Sequence, residues 1–255
     1  MAKKNRKTRK DVKEYSEEKA NVHRIHNQGG WQSGWDPLEG EIDVQRDKKY
    51  LKTVKPRSEG QAELMAAIDQ FNLVFAMGPA GTGKTYLAIT KAVQAWEAGQ
   101  VERIVLTRPA MEAGENLGFL PGDLHEKMAP YLRPLYDALG DRMGGKKVRQ
   151  LIDDGTIEIA PIGFMRGRTL NNAFIVIDEA QNCTYTQLKM IVSRLGWHAT
   201  MVITGDPDQS DLLEGMSGLK EISDRLEALK NLGVVRLSAE DIVRHPLVSE
   251  MLHVL

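Results

Sequence analysis

The sequence predicts an α/β fold in which a mostly parallel central sheet is flanked by helices. Three observations carry this expectation. Short apolar runs at 73–77, 104–106, 174–177 and 201–203 have the length and composition of buried strands. Segments with helical apolar spacing follow the first and third runs, the alternation that parallel sheets require. Two of the runs also end in residues suited to phosphate chemistry. The first leads into Gly78-Pro79-Ala80-Gly81-Thr82-Gly83-Lys84-Thr85 and the third into Asp178-Glu179-Ala180-Gln181.

In chain order, residues 1–56 read as a basic, largely irregular extension and residues 57–255 as one globular domain. Lys3, Lys4, Arg6, Lys7, Arg9 and Lys10 mark a solvated arm, with an electrostatic arm for nucleic acid as the alternative. His23 and His26 have no nearby cysteine or acid at ligand spacing, so they read as incidental. Trp31 and Trp35 suggest docking onto the globular body or a neighbouring subunit. The formal net charge is −1, with 34 Lys and Arg against 35 Asp and Glu, so a nucleic-acid surface has to be local. The lone Cys183 excludes an internal disulfide framework, fits a reducing cytoplasm and is expected to be a small packed residue. There is no run of about eighteen apolar residues, so no membrane partner is expected.

From Ser58 an amphipathic helix is expected, carrying Ala62, Leu64, Met65, Ala67 and Ile68. Gln61 lies just ahead of them, and an amide there can pair with the edge of adenine. The stretch from Gly78 to Thr85 reads G-x-x-x-x-G-K-T, the phosphate-binding loop of P-loop nucleotidases. Its glycines let backbone N–H groups and a helix N-terminus face phosphate. Lys84 would reach the β/γ oxygens, and the Thr85 hydroxyl would hold Mg²⁺. The following helix, from Tyr86 to Ala98, puts Tyr86 beside the nucleotide, and ATP is the expected ligand. The second strand leads into Thr107-Arg108-Pro109-Ala110. The third is a Walker B pattern: Asp178 would hold Mg²⁺, directly or through water, and Glu179 would deprotonate the attacking water. Thr184 and Gln187 have capping-box spacing and open a helix that keeps its period to Leu195. The fourth strand delivers Thr204-Gly205-Asp206-Pro207-Asp208-Gln209, and a final strand at 234–237 precedes Arg244.

In that order GPAGTGKT, TRPA, DEAQ and TGDPDQ are similar to motifs I, Ia, II and III of superfamily 1 helicases. That resemblance assigns γ-phosphate sensing to Gln209 and an adenine contact to Gln61. Between the second and third strands the match sharpens. Glu112-Ala113-Gly114-Glu115, Leu117-Gly118-Phe119-Leu120-Pro121-Gly122-Asp123-Leu124, Met165-Arg166-Gly167-Arg168-Thr169-Leu170-Asn171-Asn172 and Val243-Arg244-His245-Pro246-Leu247 resemble the PhoH family. The resemblance runs from about residue 57 onward and implies a RecA-like core, ATP hydrolysis and a role on RNA or DNA.

The insertion at 111–172 is the expected partner surface. Lys127, Arg133, Lys146, Lys147, Arg149, Arg166 and Arg168 are interleaved with Phe119, Tyr131, Tyr136 and Phe164, a pattern suited to single-stranded RNA or DNA. Arg108, Arg133, Arg166 and Arg168 are the candidate nucleic-acid contacts. Arg166 and Arg168 could instead touch ATP or a neighbouring subunit. With 46 residues after Gln209, one lobe is expected rather than two. A ring, a hexamer by expectation, would then complete the site, with Arg244 as a finger from the neighbour. The alternatives are a nucleotide-dependent switch with little turnover and, third, a P-loop kinase.

Overall fold

The computed structural model describes residues 54–109, 124–213 and 215–243, with side chains described throughout except at 124–130. Nearly all of the basic extension, the motif at 112–123 and Arg244 lie outside the described residues. The strands are β1 (Leu73–Met77), β2 (Arg103–Arg108), β3 (Ile157–Pro161), β4 (Ala173–Ile177), β5 (Thr200–Gly205) and β6 (Gly233–Arg236). The helices are α1 (Glu59–Gln70), α2 (Lys84–Glu97), α3 (Leu124–Met143), α4 (Gly145–Asp153), α5 (Tyr185–Val192) and α6 (Leu219–Leu226). All strand pairings are parallel, in the order β3-β2-β4-β5-β1-β6.

Strand alternation sorts the core into two layers. Val74, Ala76, Ile104, Leu106, Phe174, Val176 and Val202 face α1 to α4 and pack with Leu64, Ile89, Leu135 and Leu151. Phe75, Met77, Val105, Ile175, Ile177 and Ile203 face the other side and meet Leu188 and Ile191 of α5 and Leu219 and Ile222 of α6. Because both faces are covered, β1 and β4 are near-continuous apolar runs, which is why they are legible. Local signals set the helix starts. Ser58 accepts from Gln61 N at the head of α1, and Thr184 and Gln187 close the predicted capping box on α5.

Three features differ from the sequence expectation. The insertion contributes α3, α4 and β3, none of which the sequence reading contains. As an edge strand β3 needs only one ladder, so its sequence carries Glu158 and no apolar run. Helix α5 closes at Val192 with Ser193 as its cap, before the expected Leu195. Tyr136 of α3, counted among the base-stacking rings, is buried in the core and presents no ring face to a partner. Among the described residues no helix is long and apolar enough to cross a membrane.

Candidate nucleotide site

Parallel pairing brings the C-terminal ends of β1, β2, β4 and β5 to one edge of the sheet, where ligands of open α/β sheets bind. The register aligns Met77 with Gly205 and Ile177 with both Thr107 and Ile203. The turns that follow these residues therefore meet. Gly78 N donates to Gly205 O at 3.1 Å, and Asp178 N donates to Thr107 O at 2.9 Å.

The phosphate loop is wound by glycines. Gly78 has φ 142, and a Cβ there would lie 2.3 Å from the Leu237 carbonyl oxygen, so a larger residue clashes as well as straining the turn. Gly81 and Gly83 also have positive φ, and Gly83 opens α2 with no side-chain cap. The first N–H groups of α2 therefore face the loop, the geometry that binds phosphate. Lys84 Nζ donates to the carbonyls of Gly78 at 2.5 Å and Pro79 at 2.8 Å, and lies 3.4 Å from Thr82 Oγ1. Burial pulls its ammonium below the ordinary value, with Asp206, Glu179 and Asp178 opposing the shift. Pro79, Ala80 and Tyr86 lie at the rim, Ala80 and Tyr86 exposed.

Across β5, the loop is joined to the Walker B carboxylates. Thr85 Oγ1 donates to Asp178 Oδ1 at 2.5 Å, and Thr204 Oγ1 donates to the same oxygen at 2.8 Å. Glu179 follows in the left-handed region at φ 54, a strained placement for a residue with a side chain. Its Oε2 accepts from Gln181 Nε2 at 2.5 Å, and Gln181 Oε1 accepts from Asp206 N at 3.1 Å. A Cβ at Gly205 would lie 2.8 Å from Gln181 Oε1, so the glycine makes this approach possible. The loop after β5 is strapped to the same turn: Ser210 Oγ donates to Gln181 O, and Asn182 and Asp211 exchange two bonds at 2.9 Å. Gln209 lies on that loop, exposed, its N–H bonded to Asp206 O at 3.1 Å.

The model of the PhoH-like protein family matches residues 53–255. The chain belongs to the PhoH-like family. It is 52% identical over 202 residues to the PhoH-like protein of Bacillus subtilis strain 168, covering 79% of this chain and 63% of that one. It is 55% identical over 201 residues to the PhoH-like protein of Mycobacterium bovis, covering 78% of this chain and 57% of that one. The chain thus spans about six-tenths of the length of the curated relatives it matches. Among solved structures, the large terminase of a thermophilic bacteriophage superposes with a TM-score of 0.50 at 13% identity, covering 78% of this chain and 50% of that one. That likeness concerns the fold, the RecA-like P-loop architecture that the sequence predicts.

The PhoH-like domain places the other candidates unevenly. Gln61 adjoins the loop, but its amide is spent on the protein: Nε2 donates to Thr82 O at 3.0 Å, and Oε1 accepts from Arg57 N at 2.9 Å. In this structure Gln61 braces the loop from behind, and its adenine contact stands as a proposal for the nucleotide-bound chain. Arg108, a candidate nucleic-acid contact, holds its guanidinium against Glu179 and Asp178 in this structure. Arg168 is held by both Glu158 oxygens, at 2.5 and 2.7 Å, and this bond raises its already high pKa. Arg133 is exposed and 3.9 Å from Asp137. Arg166 is exposed, as is Phe164 two residues before it, at 57%. Sequence reasoning gave no role to Gln181, Thr204 and Asp206, although all three stand inside the quoted DEAQ and TGDPDQ motifs.

Proposed function

We propose that the protein is a Mg²⁺-dependent ATP hydrolase whose turnover is coupled to single-stranded RNA or DNA. The bond from Thr85 to Asp178 carries the chemistry, because it sets phosphate loop, acidic strand end and the adjacent Glu179 around one point. A hydroxyl and a carboxylate oxygen suit a hard cation, and among the described residues no cluster of three or more His, Cys, Asp or Glu holds a metal unaided. Mg²⁺ would thus rest on Thr85 and Asp178 together with the substrate's phosphates, where it would neutralise charge. Lys84, now on loop carbonyls, turns to the phosphate oxygens. Glu179 orients the attacking water and takes its proton. A carboxylate directly after Asp178 favours water over an acceptor hydroxyl, which disfavours the kinase reading.

Exposed Arg166, two residues after exposed Phe164, supports a single-stranded partner, with a cation for phosphate and a ring for a base. For assembly the proposal is a ring, a hexamer, with Arg244 reaching a neighbour's phosphates. One observation favours a rival: Val243 N donates to Gly81 O at 3.0 Å, which sets the residue before Arg244 against its own subunit's loop. A slow nucleotide switch is the second functional reading, favoured by the ion pair between Arg108 and Glu179.

Steady-state ATP hydrolysis, with and without RNA and single-stranded DNA, tests the proposal. Lys84→Ala should lose both ATP binding and turnover. Glu179→Gln should keep ATP and lose on the order of 10²–10⁴ in rate, the usual weight of a general base. Parental turnover in Glu179→Gln would sink the assignment of the base.

A further inference from the structure

Arg108 ends β2 at the edge where Asp178 and Glu179 end β4, because Thr107 and Ile177 are register partners. Its guanidinium spans three groups. Nη2 lies 3.1 Å from Glu179 Oε1, Nη1 lies 4.0 Å from Asp178 Oδ2, and Nη1 donates to the Tyr131 carbonyl of α3 at 3.0 Å. The second Glu179 oxygen accepts from Gln181 Nε2. Both oxygens of the proposed base therefore face protein donors, which fix the direction in which its remaining lone pairs meet a water. Gln181 is itself fixed by Asp206 N and carries no charge, whereas Arg108 is 21% exposed and bears a charge that an outside anion can compete for. A guanidinium fits a phosphate as well as it fits a carboxylate.

We propose that Arg108 is a latch on the base: a positioning residue that holds Glu179 away from the attacking water until a phosphate of the bound nucleic acid takes the guanidinium. The releasing ligand rests on the nucleic-acid reading above, while the restraint on Glu179 does not. Binding at the insertion then reaches the reaction by one side-chain exchange, since the same guanidinium holds the Tyr131 carbonyl of α3 and Glu179.

The test is steady-state hydrolysis by the full chain and by Arg108→Ala and Arg108→Lys, alone and with poly(U) RNA or poly(dT) DNA. Nucleotide affinity is measured in parallel with a fluorescent ATP analogue. Arg108→Ala should raise basal kcat on the order of tenfold, the weight of one hydrogen bond to a charged group, with KM for ATP little changed. Nucleic acid should then add little to it. Arg108→Lys should fall between, because one ammonium can reach Glu179 without also holding Tyr131. If Arg108→Ala does not fold, Arg108→Gln and Arg108→Lys carry the same comparison. A role confined to structure would lower kcat in both states and leave their ratio alone. Basal kcat that is unchanged, or that falls as in Glu179→Gln, overturns the latch. A stimulated parent whose ratio survives Arg108→Ala also overturns it and leaves the nucleic-acid reading standing. A raised basal rate in a protein that neither polymer stimulates keeps the restraint and overturns nucleic acid as its release.

Discussion

Gln61 and Thr82 are joined by a buried hydrogen bond of 3.0 Å, from the Gln61 amide to the carbonyl two residues before Lys84. Helix α1 is thereby fastened to the phosphate loop. Gly60 N donates to Asp241 Oδ1, and Asp241 Oδ2 accepts from Ser238 N, so the segment after β6 is fastened to the same helix end.

A brace and an adenine reader behave differently when removed. Gln61→Leu leaves a buried carbonyl and the Arg57 N–H without partners, at a cost of about 1–3 kcal/mol. The loop should loosen for every nucleotide, so ATP and GTP affinities should fall together in titration calorimetry. A loss confined to ATP would return Gln61 to the adenine edge.

Arg166 and Arg168 separate into two roles. Arg168→Ala leaves Glu158 of β3 without its guanidinium and should lower the melting temperature. Arg166→Ala touches no described partner and should leave melting unchanged while weakening binding to single-stranded RNA or DNA. That binding should itself fall steeply with salt, because neutralised phosphates release counterions. Salt-independent binding, or none at any ionic strength, would remove this partner.

Mixing subunits decides where Arg244 acts. Arg244→Ala keeps an intact phosphate loop and Lys84→Ala keeps an intact Arg244. If the arginine acts on a neighbour, co-assembled mixtures should regain part of an activity that arginine fingers raise by about 10³–10⁵. If it acts on its own loop, as the Val243–Gly81 bond favours, mixtures that co-assemble by light scattering should stay inactive. A parent that is monomeric with ATP bound at every concentration would exclude the ring.

Cys183 offers a pH test of the core. Burial pushes its thiol from an ordinary value of 9.0 up to about 12. Between those values the folded chain holds a proton that the unfolded chain has released, so stability falls as pH rises. The contribution is complete below the unfolded value and is lost towards the folded one, at a limiting slope of about 1.4 kcal/mol per pH unit. The difference in urea stability between the parent and Cys183→Val should follow that slope in the alkaline range. Near neutral pH the native thiol should resist iodoacetamide and react only after unfolding.

The elements that the sequence revealed are those whose burial is symmetric. Residues 73–77 form a strand with the bounds the apolar run predicted, and 174–177 needed one residue more. Strand β3 stayed hidden because an edge position removes half of that constraint. At the site, Lys84, Thr85, Asp178 and Glu179 were legible because loop and acids announce their chemistry within a few positions. Gln181, Thr204 and Asp206 matter through contacts between neighbouring strands, and a sequence carries no sheet order from which to read them. The contact of Arg108 with Glu179 is hidden for the same reason: only the pairing of β2 with β4 brings the two together.

Strand β1, which carries the phosphate loop, has β5 on one side and β6 on the other. Gly78 rests on the Leu237 carbonyl, just past β6. On the ribosome, every loop and carboxylate residue up to Asp206 therefore emerges before the strand that closes the far flank of β1. Such long-range closure is slow, and a nascent chain halted before Gly233 leaves β1 with one ladder unmade. A nucleotide that binds the completed site stabilises the completed fold by mass action, so ATP should favour the state in which the last strand has joined β1.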